Sequence, residues 1–333
     1  MLSEKIDIVI PWVDHNDENW QKEKKKYEKN DSKDSRDIRY RDWGLLRYFF
    51  RGIEENMPWI NKVHFVTWGH IPSWLNLKYE KLNVVKHEDF IPKEYLPTYS
   101  SHTIELNMHR ITGLSDKFIY FNDDIYVIDK VNKNTFFSNG LPSDSAILRP
   151  NISAFRFSTS AIEANNLEII NTNYNFSKVL RQHRSKWFNI KYKRYLINSI
   201  LLLPYRKFTG FLNLHLPNPF LKETFQELWD EEYDILNKTC LNRFRDGRDV
   251  NQWLFRYKQL VEGKFTPKHP VYGHAYSITN ENSDIYNGIR KKTHKIICLN
   301  DNDVEIVENF EDVKKILQEH FNLILSKKSK FEK

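Results

Sequence analysis

Glycine is scarce in this chain, 10 among 333 residues, which argues against a Gly-rich β architecture. No G-x-G-x-x-G, G-x-x-x-x-G-K-S/T or H-E-x-x-H pattern occurs, so the commonest phosphate-cradling loops and the zincin helix are excluded. The two cysteines, Cys240 and Cys298, are too few and too far apart for a disulfide framework or a Cys-based metal site. A long apolar run is missing as well. The most apolar segment, residues 196–204, is far short of a membrane span and contains Asn198 and Ser199. At the N-terminus, Glu4 and Asp7 stand where a signal peptide needs a basic start and an apolar run. Together these absences predict a soluble, cytoplasmic protein with reduced thiols.

What is present is a core-forming composition, 40% hydrophobic with 14% aromatic residues, which excludes global disorder. The length suits one large domain or one domain with a substantial second lobe. A net charge of +7 fits an anionic small substrate or an anionic membrane surface at least as well as nucleic acid. The aromatics sit in apolar runs and are not interleaved with Arg, which speaks against a nucleic-acid module.

Residues 6–13 (IDIVIPWV) form a near-continuous apolar run, the mark of a buried strand. Asp14, His15, Asn16 and Asp17 follow, at the end where open α/β sheets bind ligands. Residues 21–37 are charged and read as a surface helix or loop. Residues 42–56 carry Leu45, Leu46, Phe49, Phe50 and Ile53 at helical spacing and stop before Pro58. Arg39, Arg41, Arg47 and Arg51 surround this helix, and Arg47 and Arg51 share one face, either solvated or placed for phosphate contacts. Strands are predicted over 62–67 and 83–86, and a helix over 101–112 ending at Gly113. On that helix His102, Glu105 and His109 form a polar stripe beside Ile104, Met108 and Ile111, the pattern of ordinary amphipathicity or of a catalytic face.

Residues 117–129 (KFIYFNDDIYVID) combine a buried strand with two adjacent carboxylates, Asp123 and Asp124, at its end. Such a pair repels unless a cation sits between the two groups, and carboxylates suit the hard ions Mg²⁺ or Mn²⁺. The alternative is a solvated Asn-Asp-Asp turn. The order β, α, β, β, α, β over the first ~130 residues predicts a largely parallel sheet. Beyond Pro150 helices are predicted over 218–239, opening at Pro219, over 249–262 with Asp249 as N-cap, and over 309–321. Between them lie His215, the arginines Arg243, Arg245 and Arg248, and the NDND stretch 300–303.

These stretches together resemble the Stealth family of hexose-1-phosphate transferases. The resemblance rests on IDIVIPWVDHND (6–17), on RYRDWGLLRYFFRGIEEN continuing through FIYFNDDIYV, on HLPNPF through DVNQWLFRYKQLV, and on KIICLNDND with the C-terminal SKFEK. His15 replaces the family's usual glycine, and Leu45 stands where a glutamate is frequent. The resemblance implies an α/β fold of GT-A-like (Rossmann-type) form, a mostly parallel sheet flanked by helices with a helical C-terminal lobe. Residues 1–150 would bind a nucleotide-sugar, and 151–333 would complete one catalytic unit.

The donor implied is a UDP-hexose or UDP-N-acetylhexosamine, and the acceptor a glycan or lipid-linked oligosaccharide, with no nucleic acid as partner. A lipid-linked acceptor would bring the protein to the inner face of the cell membrane. The resemblance further implies Mg²⁺ or Mn²⁺ on Asp124 with Asp123, and a donor site formed by Asp14, Asp17 and Asn122. His215 and Arg245 would act at the transferred phosphate, with Arg41 and Arg110 as further candidates for its oxygens. Two other readings compete: a metal-dependent glycosyltransferase that releases UDP, and a non-catalytic glycan- or nucleic-acid-binding protein.

Overall fold

The computed structural model describes residues 4–28, 42–152, 158–301 and 307–333. Arg39, Arg41 and the last two residues of NDND lie outside them. The first half runs β1 (Ile6–Pro11), α1 (Glu18–Glu28), α2 (Leu46–Asn56), β2 (Val63–Thr67), β3 (Leu82–Lys86), α3 (Ser101–Asn107), β4 (Lys117–Tyr120), β5 (Ile125–Val127), β6 (Phe137–Ser138) and β7 (Leu141–Asp144). Then follow α4 (Thr159–Asn173), α5 (Phe176–Gln182), α6 (Arg184–Trp187), α7 (Leu196–Leu202), β8 (Asn218–Leu221), α8 (Lys222–Glu231) and α9 (Tyr233–Cys240). The chain closes with α10 (Trp253–Val261), β9 (Thr266–Pro267), β10 (His274–Ile278), α11 (Ser283–Lys291), β11 (Ile296–Asp301) and α12 (Phe310–Ile324).

The protein is mixed α/β. Its main sheet has the order β3-β2-β1-β4-β8, parallel except for β8. Strand alternation explains why both faces are covered. Ile8, Ile10, Phe65, Ile119 and Phe121 point into one apolar cluster with α2 and α12. Their neighbours Val9, Val66, Phe118 and Tyr120 point into a second, with α8, α9 and α10. Each cluster draws residues from both sides of residue 150. The chain leaves β1 towards β2 and β3 and returns to β4 on the other flank, so a crevice opens at the carboxyl ends of β1 and β4. A second sheet, β10-β11-β5, sets β11 antiparallel to β5, with Cys298 opposite Ile125.

Several elements differ from expectation. Residues 218–239 are not one helix: β8 pairs with β4, Pro219 standing opposite Ile119, before α8 and α9 begin. Proline lacks an N–H, and β8 lies at the sheet edge, where that donor is not needed. Helix α2 starts four residues later than predicted, because Gly44 adopts φ +68° and its N–H donates to Asp42 Oδ1 at 2.7 Å. Helix α10 starts at Trp253; Asp249 is drawn away by three donors, as described below. Helix α3 tightens into a 3₁₀ turn over Met108–Arg110. The second half is also not purely helical, since it supplies β8 to β11.

Candidate active site

A cleft of about 720 Å³ opens at the carboxyl ends of β1 and β4. Five of the sequence-predicted residues line it together: Asn122, Asp123 and Asp124 from the β4–β5 turn, His215 from the segment before β8, and Arg245 from the α9–α10 loop. The turn is held where it is because β5 is captured by β11: Leu299 N donates to the carbonyl of Asp124 at 2.9 Å. Asn122 Nδ2 lies 2.9 Å from His215 Nε2, and His215 Nε2 is 3.6 Å from Asp124 Oδ2. Arg245 reaches in from the far wall, Nη2 donating to Ser101 Oγ at 2.8 Å.

The carboxylates carry the signature of a cation site. Asp124 Oδ1 is buried and has no hydrogen-bond partner. Asp123 is reachable from the cleft solvent, yet the enclosing walls push its carboxyl up to about 7, with repulsion from Asp124 and Asp42 adding to the rise and Arg245 opposing it. A divalent ion would relieve both conditions, so these residues fit Mg²⁺ or Mn²⁺. Asp124, His215 and Cys298 present donor atoms within 4.8 Å of one another. Burial raises the Cys298 thiol well above its ordinary range. In this arrangement its Sγ donates to Asp124 Oδ2 at 3.3 Å. Asp124 and Asp123 are the carboxylates that would hold such an ion, with His215 Nε2 standing beside Asp124.

Other predicted residues are placed elsewhere. Asp17 caps α1, Oδ1 accepting from the amides of Asn19 and Trp20 at 2.9 and 3.0 Å. Asp14 N donates to His70 Nε2 at 2.8 Å. Both acids stand just beyond β1, while Trp12 and Val13 are the residues of that segment that line the cleft. Arg110 stacks on Trp229, donates to Asn107 Oδ1 at 3.0 Å and does not line the cleft. Arg41 lies outside the described residues. Arg51 is tied to the Glu332 carboxylate by two bonds of 2.8 and 2.9 Å, so the shared face of Arg47 and Arg51 holds the C-terminus and offers no phosphate contact through Arg51. Arg243 and Arg248 pair with Pro97 O and Asp246, which leaves Arg245 as the cleft arginine of its loop.

The polar stripe on α3 splits. His109 is buried against Phe225 and Trp229. His102 and Glu105 line the cleft. Asp249 Oδ2 holds His102 Nδ1 at 2.9 Å, and also accepts from Asp246 N while Oδ1 accepts from Asn242 Nδ2. An imidazole whose Nδ1 is fixed by a buried carboxylate has a defined tautomer and orientation. Helical spacing alone raised this stripe but gave no sign that Asp249 lies behind it. A second wall runs from Arg149 through Glu163 and Asn213 to Arg256 and Asp144. Arg256 lies in the DVNQWLFRYKQLV stretch, but sequence alone assigned none of these residues a role. Asn300 and Asp301, the described part of NDND, close the rim.

Comparison with known proteins gives matches along nearly the whole chain. Residues 4–32, 39–144 and 287–333 match conserved regions 1, 2 and 4 of the Stealth proteins. A capsular polysaccharide phosphotransferase of Streptococcus pneumoniae is 43% identical over 99% of this chain and 98% of its own. An exopolysaccharide phosphotransferase of Lactiplantibacillus plantarum is 39% identical over 98% of this chain and 96% of its own. A receptor polysaccharide phosphotransferase of Streptococcus gordonii is 36% identical over 99% and 100%.

Proposed function

This chain belongs to the Stealth protein family, and on that premise we propose that it transfers hexose-1-phosphate from a UDP-sugar to a hydroxyl of a glycan acceptor, releasing UMP and joining cell-surface polysaccharide by phosphodiesters. The observation that carries the reading is the convergence of Asn122, Asp123, Asp124, His215 and Arg245 on one cleft from three separate segments. The main sheet's order and its crevice at the β1–β4 switch support a GT-A-like assignment.

In this reaction the acceptor oxygen forms a bond to the β-phosphorus, and the bridging P–O bond to the α-phosphate breaks, its electron pair leaving with UMP. The bond between C1 and its oxygen is untouched, so the anomeric configuration is kept. Phosphoryl transfer asks the protein mainly for positioning and charge neutralisation. Arg245 offers a planar fork to the oxygens of the transferred phosphate. His215 takes the hydroxyl proton at Nε2, the acceptor hydroxyl displacing the Asn122 Nδ2–H that occupies that lone pair in the free protein. A Mg²⁺ or Mn²⁺ ion held by Asp124 and Asp123 would neutralise charge on the diphosphate.

The competing reading is attack at C1 with release of UDP. Family membership sets aside the non-catalytic reading. Nucleotide product analysis with UDP-sugars, Mg²⁺ and a glycan acceptor decides between the two reactions. UMP formed only with acceptor present is the expected result, and UDP would move the chemistry to C1. Among the described residues no helix is long and apolar enough to cross a membrane; we propose a cytoplasmic enzyme that meets a lipid-linked acceptor at the inner membrane face.

A further inference from the structure

Helix α7 is built inside out. Its one fully buried side chain is polar: Ser199 is 2% exposed and its Oγ accepts from Leu148 N at 3.0 Å. Its apolar side chains face outward, with Leu201 69% and Ile197 58% exposed, joined by Ile200 and by Ile190 and Tyr205 in the flanking 3₁₀ turns. Leu202 and Leu203 anchor the segment on the second core. An apolar surface that a chain could have turned inward, but does not, marks a contact with something else.

The charge around it says what that is. No Asp or Glu occurs between residues 169 and 222, while residues 178–207 contain nine Lys and Arg. Since the whole chain carries +7, the remainder carries 7 − 9 = −2, so the basic excess is concentrated here. Lys191, Lys193, Arg194, Arg206 and Lys207 are all exposed and flank the outward-facing Ile and Leu. A second copy docked through this face would bring like charges together. A nucleic acid would leave the apolar side chains without a partner.

We infer that α7 and its flanking turns form an in-plane docking surface for an anionic phospholipid bilayer, with Ile190, Ile197 and Leu201 entering the headgroup boundary and the basic residues meeting lipid phosphates. The helix has seven residues, too few to span, so it lies on the membrane. It also rests on the cleft wall: Leu148, which Ser199 holds, precedes the cleft-lining Arg149. If the function proposed above holds, docking here brings the cleft beside an acceptor carried on a membrane lipid.

Flotation with vesicles of phosphatidylcholine alone, or mixed with an equal part of phosphatidylglycerol, tests this on the full chain. The protein should float only with the anionic vesicles, and less at high salt. Ile197→Asp with Leu201→Asp alters exposed side chains only and should abolish flotation. Lys193→Gln, Arg194→Gln and Arg206→Gln together should weaken binding on the order of a hundredfold. A wild-type protein that stays in the soluble fraction at low salt, or an Asp double variant that floats as well as wild type, overturns the proposal. So does a dimer, seen by ultracentrifugation, that the Asp variant dissolves without changing flotation. Nucleotide release with a soluble acceptor, read in the same samples, keeps a failure of docking separate from a failure of the chemistry.

Discussion

Arg256 is the residue whose removal tests most of the cleft wall at once. It is 5% exposed, and its guanidinium clamps Asp144 through Nε to Oδ2 at 2.7 Å and Nη2 to Oδ1 at 2.8 Å. Nη1 donates to Asn213 Oδ1 at 2.6 Å, so the same side chain orients a cleft residue. Arg256→Met keeps a flexible side chain of comparable length, which limits the cavity. What it leaves is a buried carboxylate without its counter-charge, a loss of about 3–5 kcal/mol. Adding Asp144→Asn removes the orphaned charge, so the double variant should be more stable than Arg256→Met alone, with a coupling of about 2 kcal/mol or more. Urea unfolding followed by tryptophan fluorescence measures both, provided the denaturant slopes stay equal. A loss below about 1 kcal/mol for Arg256→Met would show that the pair is solvated and carries little. A double variant that is less stable than the single by the full cost of Asp144→Asn would refute the pairing argument.

Four further outcomes are expected. His215→Ala should lower turnover by about a hundredfold or more while calorimetry still detects UDP-sugar binding; if His102→Ala instead collapses turnover and His215→Ala does not, the imidazole held by Asp249 is the base. Asp124→Asn should remove the Mg²⁺-dependent part of donor affinity, and calorimetry indistinguishable from wild type with the metal present would contradict its assignment. In Gly52→Ala the new Cβ would stand 2.3 Å from Val127 O, so α2 must shift from β5. The expected loss is about 1–3 kcal/mol, and an unchanged melting temperature would show that this contact is loose. Burial holds His109 down at about 3 against an ordinary 6.5. The unfolded chain therefore takes up a proton that the folded one refuses, and stability contributed here is lost as pH falls below about 6.5. His109→Phe should show a shallower fall in melting temperature between pH 6.5 and 4 than wild type; parallel curves would remove His109 from the acid response.

The parts of this protein that sequence alone determined are those written in contiguous residues. The runs IDIVIPWV and KFIYF specify β1 and β4 because strands buried on both faces are apolar throughout. The Asn-Asp-Asp turn follows the second of them, and motif order pointed to His215 and Arg245. Register and long-range pairing were not written that way. Proline and phenylalanine at 219–220 satisfy a helical pattern as readily as a strand, and only an edge beside β4 decides for β8. Cys298 meets Asp124 across 174 residues because β11 pairs with β5, and Asp249 meets His102 across 147. The outward face of α7 looked like an ordinary short apolar segment until burial showed Ser199 inside and Leu201 outside. Local patterns carry propensity and motif chemistry, but which side chains touch is set by how two covered faces of one sheet bring distant segments together, and that information exists only in three dimensions.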